Sequence, residues 1–358
     1  VNHALTDICR FFRVAEPLGE PLVLATVLRT EGSTYSKAGA RVVIAPDGRT
    51  SGMVSGGCLE SDLHERALRV ISAKRSERAW FDTRESDDPI WGLGMGCEGA
   101  MDIWLQAELP EQGYPVLRYL QHCLEREQAA VIATVVGGQA KLEELGTHGL
   151  RGTAGGTPLE ERLAALLEAE SSAGAGLSTL RCGERELEVF VGAIELAPSL
   201  LICGGGVDAI PVQSAAANLG WRVTVFDHRP AYATETHFPQ AARVICARPE
   251  QLAQHIDASG FDAAIVMSHH LPSDIAYLKT LADRPPTYIG LLGPANRRQR
   301  LLAEAGASAL RVADRIHGPA GLDIGANTPE SIAVAIVAQI HAVLSGKSGG
   351  PFEPGAVA

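Results

Sequence analysis

One stretch, Leu200 to Asp227, restricts the fold more than any other part of the chain. It reads LLICGGGVDAIPVQSAAANLGWRVTVFD. A short apolar run meets Gly204, Gly205 and Gly206, an apolar-periodic segment follows to Gly220, and a second β-rich run, Arg222 to Phe226, ends on Asp227. The order is strand, glycine turn, helix, strand. Gly204, Gly206 and Ala209 fit G-x-G-x-x-A, and Asp227 lies 23 residues beyond the first glycine (204 to 227), near the offset of an acid that accepts a ribose hydroxyl. The first glycine allows the tight turn, the second lets backbone approach a phosphate, and the small alanine lets helix and strand pack closely. Free N–H groups at the helix start favour an anion.

Two residues argue against a routine dinucleotide site. Asp208 puts a carboxylate where a pyrophosphate would sit, and Pro211 lies in the first helical turn. An acid there stabilises the helix but repels the ligand. The glycine turn therefore specifies a Rossmann-like unit more firmly than it specifies a ligand; packing alone would also explain it.

At 358 residues the chain has room for two or three domains. A formal net charge of −11, with no basic run, argues against a nucleic-acid partner. No apolar stretch is long enough to span a bilayer, and VNHALTDICRFF is not a signal peptide. Seven dispersed cysteines without C-x-x-C argue against a disulfide framework or zinc knuckle and suit a reducing cytoplasm. Most of them, Cys203 and Cys246 included, read as small buried hydrophobes.

Helical spacing covers His3 to Ala15, and strands are expected at Leu22 to Leu28, Arg41 to Ala45 and Thr50 to Ser55, with a hairpin turn at Pro46-Asp47-Gly48. The last strand runs into Gly56-Gly57-Cys58-Leu59-Glu60 and a helix to Ala73. Cys58 would stand at the helix start, where the dipole favours a thiolate; a buried thiol beside an ordinary turn is the plainer reading. A second glycine loop, Gly92, Gly94, Gly96 and Gly99, surrounds Cys97. Two thiols are too few for a four-ligand protein metal site, but they could suit a ligand that brings its own metal. LATV at 24–27 is echoed by IATV at 132–135, which suggests two sub-halves with similar strand beginnings. Ser171 to Gly176 reads as a flexible loop and Glu186 to Leu196 as closing strands.

Beyond Ala197-Pro198 the chain alternates strands (200–203, 222–226, 242–246, 263–268, 287–292) with helical patterns. That predicts a parallel sheet covered on both faces, with ligands at the carboxyl ends of its strands. Those ends carry Gly204 to Gly206, Asp227-His228-Arg229, Ser268-His269-His270 and Gly290 to Gly293. One of the two histidines could face the crevice; a helix-entry or structural role is the plainer reading. Arg297, Arg298 and Arg300 could reach an anion or form a solvated face. Thr328 and Pro329 mark the entry to the final helix. The expected architecture is α/β: an N-terminal mixed-sheet domain (1–197), a C-terminal Rossmann-like domain (198–346) and a flexible tail (347–358).

Taken together, EGSTYSKAGARVVIAPDG, SGGCLESDLHERAL, DDPIWGLGMGCEGAMDIWL, GWRVTVFDHRPAYA, MSHHLPSD, YIGLLGPANRRQRL and GLDIGANTPESIAVAIVAQI resemble successive blocks of the XdhC/CoxI family of xanthine dehydrogenase accessory factors. The resemblance runs from about residue 20 to 345 and thins over 140–195. It implies a chaperone that binds molybdenum cofactor (molybdopterin, free or as its cytosine dinucleotide) and helps deliver it to an apo-molybdoenzyme of the xanthine dehydrogenase, aldehyde oxidase or carbon monoxide dehydrogenase type. It also implies contact with a cysteine desulfurase and self-association as a homodimer, and no catalytic turnover. The expected cofactor contacts are Gly56, Gly57, Cys58, Glu60, Gly94, Gly96 and Cys97, then Gly204, Gly205, Gly206, Asp227, Arg229, His269, Gly290 and Gly293. Cys58 and Cys97 are the candidates for contact with molybdenum. Many relatives carry GAGHV at the glycine turn where this chain has GGGVDAIP, which marks a distinct branch. The alternative is an NAD(P)-dependent oxidoreductase using the Gly204 turn and Asp227, with His269 or His270 as proton donor; a scaffold binding neither ligand is the third reading.

Overall fold

The computed structural model describes residues 4–57, 59–82, 84, 99–169, 175–194 and 196–351. The chain divides into two compact units, Asn2–Leu196 and Ala197–Ala358.

In chain order the first unit contains α1 (Ala4–Ala15), β1 (Leu22–Gly32), β2 (Arg41–Ile44), β3 (Thr50–Gly52), α2 (Glu60–Ala73), β4 (Glu77–Asp82) and β5 (Gly99–Glu108). It continues with α3 (Pro115–Glu125), β6 (Ala130–Gly138), β7 (His148–Leu150), α4 (Pro158–Ala169), β8 (Gly176–Cys182) and β9 (Arg185–Ile194). Its strands form two sheets, β3-β2-β1-β5-β4 and β7-β6-β9-β8. Pairing within both sheets is antiparallel, where the sequence suggested a mixed sheet. Strand β8 went unrecognised in the sequence because GLSTLRC is half-exposed and polar at an edge.

The two sheets are one motif built twice. Removing β3, the order β2-β1-β5-β4 maps onto β7-β6-β9-β8, each half running helix, two strands, helix, two strands. The LATV and IATV strands occupy equivalent places, and each bulges just past its valine, between Val27 and Arg29 and between Val135 and Gly137. The helix entries also match: Gly56-Gly57-Cys58-Leu59-Glu60 corresponds to Gly155-Gly156-Thr157-Pro158-Leu159-Glu160. In both, the glutamate folds back on its own turn. Glu60 accepts from the N–H of Gly57 (3.2 Å) and Leu59 (3.0 Å), and Glu160 from those of Gly156 (2.6 Å) and Thr157 (2.9 Å). Arg78 ties the halves together. It bonds Asp102 (2.7 Å) on β5 and Glu188 (2.5 Å) on β9, the two acids opposite the two bulges.

The second unit contains β10 (Ser199–Cys203), α5 (Ala209–Asn218), β11 (Arg222–Asp227), β12 (Arg243–Cys246), α6 (Leu252–His255), β13 (Ala263–Val266), α7 (Leu271–Asp283), β14 (Tyr288–Leu291), α8 (Ala295–Ala305), α9 (Ala307–Arg311), β15 (Ile316–His317) and α10 (Pro329–Leu344). All six strands are parallel in the order β12-β11-β10-β13-β14-β15. Chain order reverses between β10 and β13, the doubly wound arrangement with its crevice at that switch point. Burial on both faces explains the continuous apolar strands: Leu200 and Ile202 join one core with α5 and α10, while Leu201 and Cys203 join the other with α7 and α8. Thr328 caps α10, its hydroxyl accepting from Ser331 N (3.3 Å), with Pro329 in the first turn. Cys246 departs from the expected burial: β12 is the sheet edge, and the thiol is exposed.

Candidate functional site

The carboxyl ends of β10, β11, β13 and β14 bring together most of the C-terminal candidates. Gly204 has φ +118°, and a Cβ there would stand 2.5 Å from Ser268 N and 2.6 Å from Met267 C, so no other residue fits where β10 meets the β13 loop. Gly205 lies over Asp227 and donates its N–H to Oδ2 at 2.6 Å. The N–H groups of Gly206, Val207 and Asp208 donate to nothing among the described residues, which leaves the open donors expected ahead of a helix.

Asp227 differs from a ribose acceptor. Its carboxylate is fully buried and accepts four bonds. Oδ1 takes Arg229 N (2.8 Å) and Nε (3.0 Å), and Oδ2 takes Gly205 N (2.6 Å) and Arg229 Nη2 (2.6 Å). A carboxylate offers about four lone-pair sites, so a ribose could bind only by displacing Arg229 or the glycine turn. Burial works to raise the Asp227 pKa, but the Arg229 bonds and the two backbone N–H groups outweigh it and hold the carboxyl below its ordinary range. Arg229 in turn lies 4.1 Å over the Tyr232 ring. The neighbouring sequence D-H-R held the signal for this pair, two residues apart.

Asp208 does not project freely towards the crevice. It folds over Gly206, with Oδ1 2.7 Å from where a Cβ would be, and its Oδ2 bonds His269 Nε2 at 2.7 Å. His269 sits at φ +61°, a left-handed backbone costly for a residue with a side chain. His270 is the helix entry: it precedes α7, and its Nδ1 meets Ser273 Oγ at 2.9 Å. Behind this loop Asp274, buried, accepts from Ser268 Oγ (2.5 Å) and Arg297 Nη2 (2.7 Å). Arg297 is thereby committed internally: of the three arginines, one of which could reach an anion, this one is already paired. Arg300 pairs with Glu304, and the Arg298 stem packs on Gly318.

Gly293, at φ +111°, gives room to the Arg297 stem. Gly290 lies within β14, where a Cβ would meet the Tyr288 ring at 2.9 Å, so packing accounts for it. Tyr277, which the sequence reading did not single out, is fully buried with no partner for its hydroxyl among the described residues. Burial raises its pKa, and the nearby carboxylates of Asp227 and Asp274 add to the effect. The phenol stays protonated and is a donor in waiting beneath the strand ends.

In the first unit, Gly56, Gly57 and Glu60 form the turn before α2. Ser55 Oγ donates to Glu60 Oε1 at 2.7 Å, and Gly57 adopts φ +116°. Cys58, Gly94, Gly96 and Cys97 lie outside the described residues. Among the described residues no cluster of three or more His, Cys, Asp or Glu could hold a metal, and no helix is long and apolar enough to cross a membrane.

Residues 200–340 match the family model described as the XdhC Rossmann domain, and residues 17–82 the one described as the XdhC and CoxI family. The chain is 35% identical over 323 residues to a protein of Bacillus subtilis (strain 168) named as a probable xanthine dehydrogenase subunit, covering 90% of this chain and 92% of that protein. It is 25% identical to the molybdenum cofactor insertion chaperone PaoD of Escherichia coli (strain K12), covering 95% and 90%. A crystal structure from Bacillus halodurans, described as a xanthine dehydrogenase, superposes with a TM-score of 0.75 at 26% identity over 96% of this chain and 97% of that one. A glycine turn at the switch point of a doubly wound sheet, the matched blocks in both units and near full-length similarity together place this chain in the XdhC and CoxI family.

Proposed function

We propose that this chain binds molybdenum cofactor and helps deliver it to an apo-molybdoenzyme of the xanthine dehydrogenase, aldehyde oxidase or carbon monoxide dehydrogenase type. The reading is carried by the alignment, over 95% of this chain, with a relative named as a molybdenum cofactor insertion chaperone. It extends to a cysteine desulfurase as sulfur source, to a homodimer and to a cytoplasmic site of action.

The C-terminal crevice suits part of such a ligand. The open N–H groups of Gly206, Val207 and Asp208 fit a phosphate. The unpartnered Tyr277 hydroxyl supplies a neutral donor, and Arg229 a cation already fixed in place by Asp227. Gly204 and Gly293 shape the loops, and Gly205 fixes the turn to Asp227. His269 holds the Asp208 carboxylate over the turn, so this pair must shift before an anion can settle there. The cytosine dinucleotide form requires its ribose to be held by groups other than Asp227. The same saturation counts against the NAD(P)-dependent oxidoreductase.

Cys58 and Cys97 are proposed as the thiols that meet the molybdenum, a soft-ligand role suited to thiolate. The internal repeat sharpens the first. Gly-Gly and the returning glutamate recur at Gly155, Gly156 and Glu160, so Gly56, Gly57 and Glu60 are explained by the turn itself. The thiol is not: the second half has Thr157 there. When bound, the cofactor supplies the redox centre of the client enzyme; this chain's residues bind, shield and release it.

Titrating the purified full-length chain with released molybdopterin, and separately with NAD(H) and NADP(H), tests the proposal. Saturable molybdopterin binding, weakened in Cys58→Ala and Cys97→Ala, is expected. Nicotinamide binding with substrate-dependent turnover would replace this reading with the oxidoreductase. Unchanged molybdopterin binding in both variants would remove the thiols alone.

A further inference from the structure

The seam between the two halves of the first unit contains a charge that the protein does not neutralise. Arg41 begins β2, pairs in register with Thr26, and is 4% exposed. Its guanidinium has five N–H donors. One bond is made, Nη1 to the carbonyl of Gly39 at 3.3 Å, and no ion pair is formed among the described residues. Burial lowers its pKa to about 10, which still leaves it protonated at neutral pH. The buried carboxylate on the same side of the sheet, Glu108, is occupied elsewhere, by Gln106 Nε2 and the first N–H groups of α3.

Arg41 lines a small, narrow cavity of about 20 Å³. Most of the other walls are pseudo-equivalent pairs from the two sheets, such as Thr26 with Thr134, Leu24 with Ile132 and Trp104 with Phe190; Val116 and the neutral amide of Gln106 add to the lining. The cavity therefore lies where the repeat meets itself. Two features make room for the cation. Gly192 takes the place that Gln106 has in the first half, and a Cβ there would come within 2.9 Å of Arg41 Nη2. His148, the counterpart of Arg41 opposite Thr134, lines a different surface pocket, with Ser76 and Gly146. The repeat is thus broken at the position that puts into the seam a permanent charge without a counter-ion among the described residues.

An isolated buried cation is expensive, and proteins pair or coordinate such groups. The space exceeds the roughly 10–15 Å³ that a water-sized occupant needs, and it is too small for phosphate or sulfate. We infer that the seam holds one monovalent anion of halide size against the Arg41 guanidinium, with the threonine hydroxyls of the two halves beside it. The ion acts as a structural ligand that joins the two sheets, independent of the cofactor.

Bromide identifies it. In crystals of the full-length chain grown with sodium bromide, data at the bromine edge should show one anomalous peak within hydrogen-bonding reach of Arg41. In solution, bromide or chloride should raise the Tm by about 3 °C over gluconate at equal ionic strength. Arg41→Met should abolish that difference, and so should Thr134→Leu, which fills the space while keeping the charge. If Arg41→Met fails to fold, the wild-type crystal and Thr134→Leu still decide. A cavity without anomalous signal, holding water only, or a Tm indifferent to the anion overturns the inference.

Discussion

Asp227 and Glu108 are both completely buried carboxylates, yet the structure drives their charge in opposite directions. Asp227 stands at the end of a parallel strand with a guanidinium bonded to both its oxygens, and its pKa falls. Glu108 ends an antiparallel strand and receives neutral donors only: Gln106 Nε2 (2.9 Å) and the N–H groups of Val116 (3.1 Å) and Leu117 (3.2 Å). Burial dominates there and pushes its pKa up to about 7. Depth of burial does not decide ionisation; a formal cation in contact does. The C-terminal unit uses its buried ion pair to lock the glycine turn. The N-terminal unit uses its buried acid to seat a helix.

The contrast can be broken at several points. The largest effect is expected at the turn that Asp227 serves. Gly204→Ala must both relax a φ of +118° and push a Cβ off the Ser268 backbone, and should cost about 3–5 kcal/mol in denaturant unfolding. A loss below about 1 kcal/mol would show that β10 and the β13 loop can separate freely. Asp227→Asn should cost about 3 kcal/mol, because Arg229 loses its buried counter-charge. The wild-type contribution of this pair is present above the ordinary aspartate pKa and disappears as pH falls through the depressed folded value.

Glu108 should behave in the opposite sense. Its folded pKa of about 7 exceeds the unfolded value of 4.5, so the native state holds the extra proton between them. Stability from this group is therefore full below pH 4.5 and is lost as pH rises through 7, on the order of 3 kcal/mol by pH 8.5. Glu108→Gln should flatten that dependence, and a stability profile unchanged by the substitution would refute the assignment. The smallest effects compare the two halves of the repeat: Glu60→Ala and Glu160→Ala should each cost about 1 kcal/mol for the two backbone bonds each returns to its own helix-entry turn, with Glu60 slightly the larger because it also accepts from Ser55 Oγ. A larger loss at Glu160 than at Glu60 would mean that the second turn has taken on a further load.

Local patterns were legible in the chain. Apolar runs buried on both faces announce parallel strands, so β10, β11, β13 and β14 could be read directly, as could α2 and the Thr328 cap. Three strands escaped for a physical reason: β7 is a three-residue edge strand running into a glycine-rich segment, β8 is a polar edge, and β15 is two residues long and held by its neighbour. The internal repeat was half visible. LATV and IATV stood out, while Gly-Gly-Cys-Leu-Glu and Gly-Gly-Thr-Pro-Leu-Glu, broken by one inserted proline, did not. The candidate site was legible as a set of positions and not as a set of partners. Asp227 was readable as the acid at the strand end; that its four acceptor sites are spent on Arg229 and Gly205 was not.

What this sequence determined by itself is the division of labour along the chain: a glycine turn that only a strand-to-helix crossover can use, period-two and period-3.6 runs, and capped helix entries. These rest on backbone sterics and on neighbours within a few residues, which a linear string contains. Tertiary structure alone decided which charges are answered and which are left over. Arg41 and Arg229 both adjoin apolar strand runs, but Arg229 meets a carboxylate, while Arg41 meets a cavity between two sheets whose strands are distant in the chain. Electrostatic fate depends on what stands opposite in space, and only folding brings that partner, or its absence, into contact.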